Sequence, residues 1–356
     1  MAMTVKPIRP PPAAAPYIQN LEVACIATLQ ERVRCATYTG KLLFTSDHKG
    51  VLYQWNVDDA TNVIFHDGLG IPINVIQGAN RGNDIWLGFS NGEIAIINIE
   101  NKTVGTRWKA HPGGVSCIVA MINSVWSGGV DFQIRKWGLL GEVLMAYGHH
   151  HTSVRWLCMV RKEEHGTEMQ MWSSSNEPEV SRCSVLDNKL QHNILGDVKK
   201  GKGHTLAVLV LCQVGKGTVW SGSEDNLIKV WSILDMSVKQ TMHGHKGPVC
   251  SMVEMGFRVW SGSADGSILV WDALSYSLLF SLGHQGGYVK SMIKADWQLW
   301  AFSSGKNIKI WAAASLWGDS KFQIVKLKEK MNNFSKDKEM YDKKNMKAKV
   351  MSKPFN

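Results

Sequence analysis

Val259-Trp260-Ser261-Gly262-Ser263-Ala264-Asp265-Gly266-Ser267-Ile268-Leu269-Val270-Trp271 decides the fold. Two short apolar runs flank Ala264-Asp265-Gly266, a tight-turn sequence, so the stretch reads as a β-hairpin. The same hairpin recurs as Val219 to Trp231 and, less perfectly, as Val125 to Trp137.

A search at that spacing finds seven copies. The first-strand aromatic stands at Phe44, Trp86, Trp126, Trp172, Trp220, Trp260 and Trp300. Eleven residues later come Trp55, Ile97, Trp137, Cys183, Trp231, Trp271 and Trp311. Three residues before each second mark is an apolar residue, as at Ile228 and Ile268. The offset within a copy is fixed, while the distance between copies runs from 40 to 48 residues. Fixed hairpins with variable connections are what repeated small sheets joined by surface loops require.

Ile268 and Val270 are apolar at one parity of the strand and Trp271 at the other, so both faces of each sheet are to be buried against neighbours. A ring of sheets achieves this without end caps, whereas a linear stack needs polar caps, and no repeat here looks like one. The strand from Glu22 to Leu29 has no hairpin of its own and matches Ser277 to Leu282, which precedes a Gly-His pair. It is expected to complete the last sheet and close the ring; Phe322 to Leu327 is a rival closing strand.

Composition bounds the rest. The repeats occupy residues 21–317 of 356 and leave a proline-rich leader, 1–20, and a lysine-rich tail, 318–356. Pro7 and Pro10 form a P-x-x-P pair within a leader that reads as low-complexity chain. No apolar run reaches the roughly 20 residues a membrane helix needs, and no apolar stretch follows Lys6 and Arg9. An intracellular, cytoplasmic protein is therefore expected. Seven cysteines without a C-x-x-C are read as small core residues rather than disulfides or zinc ligands. Of the formal charge of +10, the tail carries +6 from 11 lysines against 5 acids.

The sequence resembles the WD-repeat β-propeller family over about 300 of its 356 residues. The resemblance rests on the hairpin tryptophans, on Gly-His pairs (Gly148-His149, Gly203-His204, Gly244-His245, Gly283-His284, and Ala110-His111 as a variant) and on the turn aspartates Asp131, Asp225 and Asp265. It implies an all-β, seven-bladed propeller with two tails. It also implies a structural relay: Asp265 orients His245, the histidine meets Ser261 or Ser263, and that hydroxyl meets the indole of Trp271. The same relay is implied for Asp225 with Trp231 and for Asp131 with Trp137. Blades two and four, ending on Ile97 and Cys183, are expected to be looser.

Asp, His and Ser together invite a hydrolase reading, but a catalytic site does not recur in several modules. His149-His150-His151 alternate in direction along a strand and do not converge on a metal, and His149 is taken by the Gly-His register. There is no phosphate-binding glycine loop, H-E-x-x-H or G-x-S-x-G. The expectation is a non-enzymatic binding module without cofactor, metal or obligate small molecule.

In the resembled family, partners often meet two rings of residues on the upper face. One ring lies at the start of the innermost strands: Arg34, Asn74, Ser116, Arg155, Leu209, Cys250 and Lys290, with Arg32 and Tyr288 two residues before their neighbours. The second lies four residues past each first-strand aromatic: His48, Ser90, Val130, Asn176, Glu224, Ala264 and Ser304. Cations Arg34, Arg155 and Lys290 against the single acid Glu224 favour acidic or phosphorylated protein or peptide partners. In the tail, Ile324, Leu327, Met331 and Phe334 fall at heptad-like spacing among lysines. A partner helix, an anionic membrane surface or nucleic acid are the readings for it. The Trp-Ser-Gly-Ser hairpins also look like those of WD-repeat domains attached to inositol-polyphosphate phosphatases or small-GTPase exchange factors. On that alternative the chain is the regulatory portion of a larger signalling protein.

Overall fold

The computed structural model describes residues 23–79, 82–148, 150–162, 168–178, 180–184 and 203–313. The leader with its P-x-x-P pair, the tail with its heptad-like positions, and the rival strand Phe322 to Leu327 lie outside the described residues. So do His149 and most of the polar insert between Arg161 and Thr167.

Regular structure among the described residues is strand, arranged as seven antiparallel sheets. In chain order the blades span 35–66, 73–109, 115–147, 154–184, 208–242, 249–284 and 289–313. Blade 7 takes its fourth, outermost strand from the N-terminal end of the described chain. Val23–Gln30 pairs antiparallel with Asn307–Ala313, Val23 opposite Ala313 and Gln30 opposite Asn307. The expected closure is thus observed, and its strand covers one residue more at the C-terminal end. Contacts between innermost strands run from each blade to the next and from Val289–Ala295 of blade 7 back to Cys35–Tyr38 of blade 1.

The hairpin of the repeat explains the ring. Trp260 and Trp271 sit on opposite faces of blade 6. Trp260 packs with Val289, Met292 and Leu299 of blade 7, and Trp271 with Val210, Val214 and Trp220 of blade 5. Each of the seven buried apolar clusters likewise joins two adjacent blades. A sheet with two apolar faces has no stable isolated form in water, so the burial that folds one blade also docks its neighbours.

The Ser-Gly after the first tryptophan is part of that docking. A Cβ on Gly262 would lie 2.5 Å from Val289 Cγ1 of blade 7, and one on Gly222 would lie 2.6 Å from Val249 Cγ1 of blade 6. The turn has its own backbone requirement. Gly266 has φ +82°, and the same position in four other blades is also left-handed: Gly50, Gly92, Asn226 and, with a bulky side chain, Phe132. Blade 7 places Lys306 there at φ +63°.

Blade 2 corrects one expectation. It is not loosened by Ile97: Ile97, Leu87 and Leu69 are all buried in one cluster with Ile73 and Phe89. Those three fill the positions that hold tryptophan, serine and histidine in blade 6, so apolar packing replaces the polar relay throughout. Blade 4 has three described strands, and the side chain of Cys183 lies outside the described residues.

Candidate functional site

The chain runs down each innermost strand from the upper face, so the starts of those strands ring the mouth of the central channel. Six of the seven first-ring residues share a feature that the sequence did not announce. Asn74, Ser116, Arg155, Leu209, Cys250 and Lys290 are each the residue at which the pairing of the innermost strand shifts register. A β-bulge leaves such a residue out of the ladder and re-aims its side chain. Repeated around the ring, the bulges set a circle of side chains at one level. Arg34 holds the corresponding place in blade 1, its N–H donating to Ser46 O at 2.7 Å.

Arg34, Asn74, Ser116, Cys250 and Lys290 line one cavity of about 440 Å³ in the channel. Arg34 Nη2 donates to Asn74 Oδ1 at 2.6 Å, and Asn74 Nδ2 donates to Val115 O at 3.0 Å. Lys290 Nζ stands 5.7 Å from the centre of the Tyr288 ring, a cation–π placement. Arg155 is exposed and its Nε donates to Asn176 Oδ1, a member of the second ring. Arg155 and Leu209 do not line the cavity; Arg32 and Glu224 are exposed. The rim therefore presents Arg32, Arg34, Arg155 and Lys290 to solvent, with two of the guanidinium groups already oriented by asparagine.

Beneath the rim, three blades hold the buried relay. His245 Nδ1 lies 3.3 Å from Asp265 Oδ2, and His245 Nε2 lies 2.7 Å from Ser261 Oγ. Trp271 Nε1 donates to the same hydroxyl at 2.8 Å. Ser263 is not the relay hydroxyl; it donates to Gly247 O and accepts the Asp265 N–H. His204, Asp225, Ser221 and Trp231 repeat the geometry, as do His111, Asp131, Ser127 and Trp137. With Nδ1–H donated to the carboxylate, Nε2 accepts the serine hydroxyl, whose oxygen accepts the indole N–H. The serine oxygen thus both donates and accepts, and each histidine nitrogen and the indole N–H has a partner. Burial works against ionisation of Asp225 and Asp265, yet hydrogen bonds, from His204 and Ser267 foremost, outweigh it and hold both carboxyls at about 2. Burial lowers the His111 and His245 imidazoles, against the pull of their aspartates. Ser127, Ser221 and Ser261 have no solvent exposure.

Residues 236–272 match the family model "WD domain, G-beta repeat". They run from the outermost strand of blade 5 through His245, Asp265 and Trp271 to Asp272. The fold is a seven-bladed β-propeller, and one stretch of it matches a WD repeat. Among solved structures it is similar to the WD40 beta propeller domain of Doa1, with a TM-score of 0.70 and 19% identity over 84% of this chain and 100% of that one. It is also similar to a chain in the crystal structure of the Mitotic Checkpoint Complex, with a TM-score of 0.71 and 15% identity over 88% of this chain and 98% of that one. No curated protein sequence matches it. At these identities the structural likeness carries the fold.

Against the WD-repeat pattern, two blades correct the reading of the Gly-His pairs. In blade 4 the buried histidine is His150, one residue later than the pair suggests, with Nε2 2.8 Å from Ser173 Oγ. In blade 7 His284 is exposed, and the buried neighbour Gln285 accepts the Trp311 N–H at 3.2 Å. Ala301 stands there in place of the relay serine, and the longer amide bridges the gap. Blade 1 shortens the relay to Trp55 donating to Thr45 at 2.7 Å. Blade 3 extends it, because Arg135 donates to Asp131 Oδ2 at 2.7 Å.

The cysteines also depart from a uniform core role. Cys117 is buried, Cys35, Cys158, Cys212 and Cys250 are half-buried along innermost strands, and Cys25 is exposed on the closing strand. Burial pushes the thiols of Cys35, Cys117 and Cys158 up to about 12, so they are poor nucleophiles.

Proposed function

We propose that this propeller is a non-enzymatic, intracellular scaffold that takes acidic or phosphorylated peptides on its upper face. One observation carries the reading: Arg34, Arg155 and Lys290 stand on corresponding positions of the channel mouth, on bulges or at the strand start, with exposed charge. WD-repeat propellers generally bind protein partners, and the similar chain in a checkpoint complex belongs to an assembly of proteins. Arg34 is held by Asn74 and Arg155 by Asn176, so less side-chain entropy is lost on binding. Guanidinium groups match carboxylate and phosphate geometry in pairs. Glu224 is the one acid among the two rings and marks the side of the face that an anionic peptide avoids.

The test is cross-linked affinity purification from native cells, comparing wild type with Arg34→Glu, Arg155→Glu and Lys290→Glu combined. Loss of specific partners in the variant, with recovery by synthetic acidic or phosphorylated peptides on the wild type, is the expected result. An unchanged partner set defeats the upper-face reading.

A further inference from the structure

Charge on the upper face is divided between two arcs of blades. The upper turn of each blade carries a residue five places past the first-strand aromatic. In blades 3 to 6 that residue is an acid: Asp131, Glu177, Asp225 and Asp265. In blades 7, 1 and 2 it is Gly305, Lys49 and Asn91. Those three blades are contiguous, because blade 7 closes the ring against blade 1. The cations Arg34 and Lys290 stand on that same arc, on blades 1 and 7, and the exposed Arg32, Lys49 and Lys306 lie on it too.

Elsewhere in the molecule cations meet carboxylates. Arg107 Nη2 lies 2.5 Å from Glu93 Oε2, and Arg135 Nη1 lies 2.7 Å from Asp131 Oδ2. At the mouth between blades 7 and 1 that pattern stops. Among the described residues the Arg34 guanidinium bonds to the neutral amide of Asn74, and the Lys290 ammonium faces the Tyr288 ring; neither has an ion-pair partner. Both side chains line the channel cavity of about 440 Å³, and no described aspartate or glutamate lines it. Lys294, on the same cavity further down its strand, lies near Glu254 and is balanced by it. The acids of blade 1 stand outward of the mouth, where Asp47, Glu31 and Asp67 lie around Tyr53 on the third strand.

We propose that the channel mouth seats the phosphoryl group of a phosphorylated peptide side chain between Arg34 and Lys290. This rests on the upper-face peptide reading and narrows it from acidic peptides in general to phosphorylated ones. A carboxylate brings one negative charge, which leaves one of two neighbouring cations unmatched. A phosphomonoester brings about −1.5 to −2 and three acceptor oxygens. The Arg34 fork, turned by Asn74, keeps its remaining donors for those oxygens, while Lys290 supplies a point charge. The mouth is concave, as a seat for one group must be. The acidic turns of blades 3 to 6 repel a phosphoryl group, so the two arcs also decide which way the peptide lies. Arg155 belongs to the acidic arc, on blade 4 with Glu177, and lies outside the seat.

The experiment is retention of random peptide libraries on the immobilised full chain. Three libraries differ only in a fixed central residue: phosphoserine, glutamate or serine. The phosphoserine library is expected to be retained about tenfold or more over the glutamate library. Arg34→Gln and Lys290→Gln are each expected to bring that ratio towards one, whereas Arg155→Gln weakens both libraries in proportion. Melting temperatures near that of wild type show that the variants fold. Free O-phosphoserine and inorganic phosphate are expected to displace the phosphoserine library only at far higher concentrations than the retained peptides do. Displacement by either at the same concentration overturns a peptide as the source of the phosphoryl group. A ratio near one with the glutamate library still retained, or a ratio that survives both Arg34→Gln and Lys290→Gln, overturns the seat and leaves the acidic-peptide reading standing. Retention of none of the libraries defeats both.

Discussion

Trp271 donates its indole N–H to Ser261 Oγ at 2.8 Å across a single hairpin, and that hydroxyl also faces His245 Nε2 at 2.7 Å. Removing the hydroxyl strands two buried polar atoms. Ser261→Ala is expected to cost about 1–3 kcal/mol in denaturant unfolding. Blade 2 supplies the converse. Leu87→Ser places a lone hydroxyl beside Leu69 and Ile97 and is expected to cost at least as much, about 2–5 kcal/mol. A neutral Ser261→Ala would mean that the relay carries no net stability.

Gly262 approaches Val289 so closely that a Cβ would sit 2.5 Å from a methyl carbon. Gly262→Ala is expected to destabilise by about 1–3 kcal/mol through overpacking. Val289→Ala in the same chain should recover part of that loss, and a double-mutant cycle reads the coupling between blades 6 and 7. Additive losses would place the strain within one blade instead.

Lys306 holds a left-handed backbone at φ +63°, where Gly266 serves in blade 6. Lys306→Gly is expected to raise stability by about 0.5–1 kcal/mol, steric relief exceeding the added unfolded-state entropy. A fall in melting temperature would show that a contact of the lysine side chain offsets the strain.

The indole N–H groups of Trp126, Trp220 and Trp260 are buried without a partner among the described residues. Blades 4 and 7 solve the same problem with a glutamine two residues earlier: Gln170 accepts from Trp172 and Gln298 from Trp300 at 2.9 Å. Arg258 occupies that position before Trp260. Arg258→Gln is expected to gain about 1 kcal/mol by supplying the acceptor. Unchanged unfolding together with unchanged tryptophan absorbance would show that the bond does not form.

The titrating groups give the pH dependence a sign. Burial lowers His111 and His245 below 6.5, so the unfolded chain binds protons that the folded chain refuses, and stability falls as pH drops through that value. Asp225 and Asp265, held at about 2, add a further loss as pH falls from roughly 4 towards 2. Melting temperature should therefore decline on acidification in two stages. A flatter first stage in His245→Asn than in wild type is the check.

The seven hairpins were legible because they depend on local spacing, while the relays came from the resemblance, which left Ser261 and Ser263 open as the hydroxyl, and the closing strand had a rival. A turn, a strand parity and an indole ten residues after a hydroxyl are properties of one short segment. His150 and Gln285 were misplaced for the same reason. The Gly-His pair marks a connection, and a connection one residue longer delivers a different side chain to the buried slot. Nothing in the sequence near Leu87 showed that blade 2 would exchange the relay for apolar packing, since that choice is made jointly by Leu69, Leu87 and Ile97 from three segments.

Apolar parity and turn chemistry act over a few residues, so the repeat and the number of blades could be read from the chain, whereas the choice of closing strand waited for the pairing of Val23–Gln30 with Asn307–Ala313. Only the tertiary structure decided what faces solvent. The bulges that level the upper ring and the turns that expose Phe257 and Leu274 arise from how twisted sheets pack against one another around an axis. Side-chain exposure is a property of that packing, because neighbours distant in sequence do the covering.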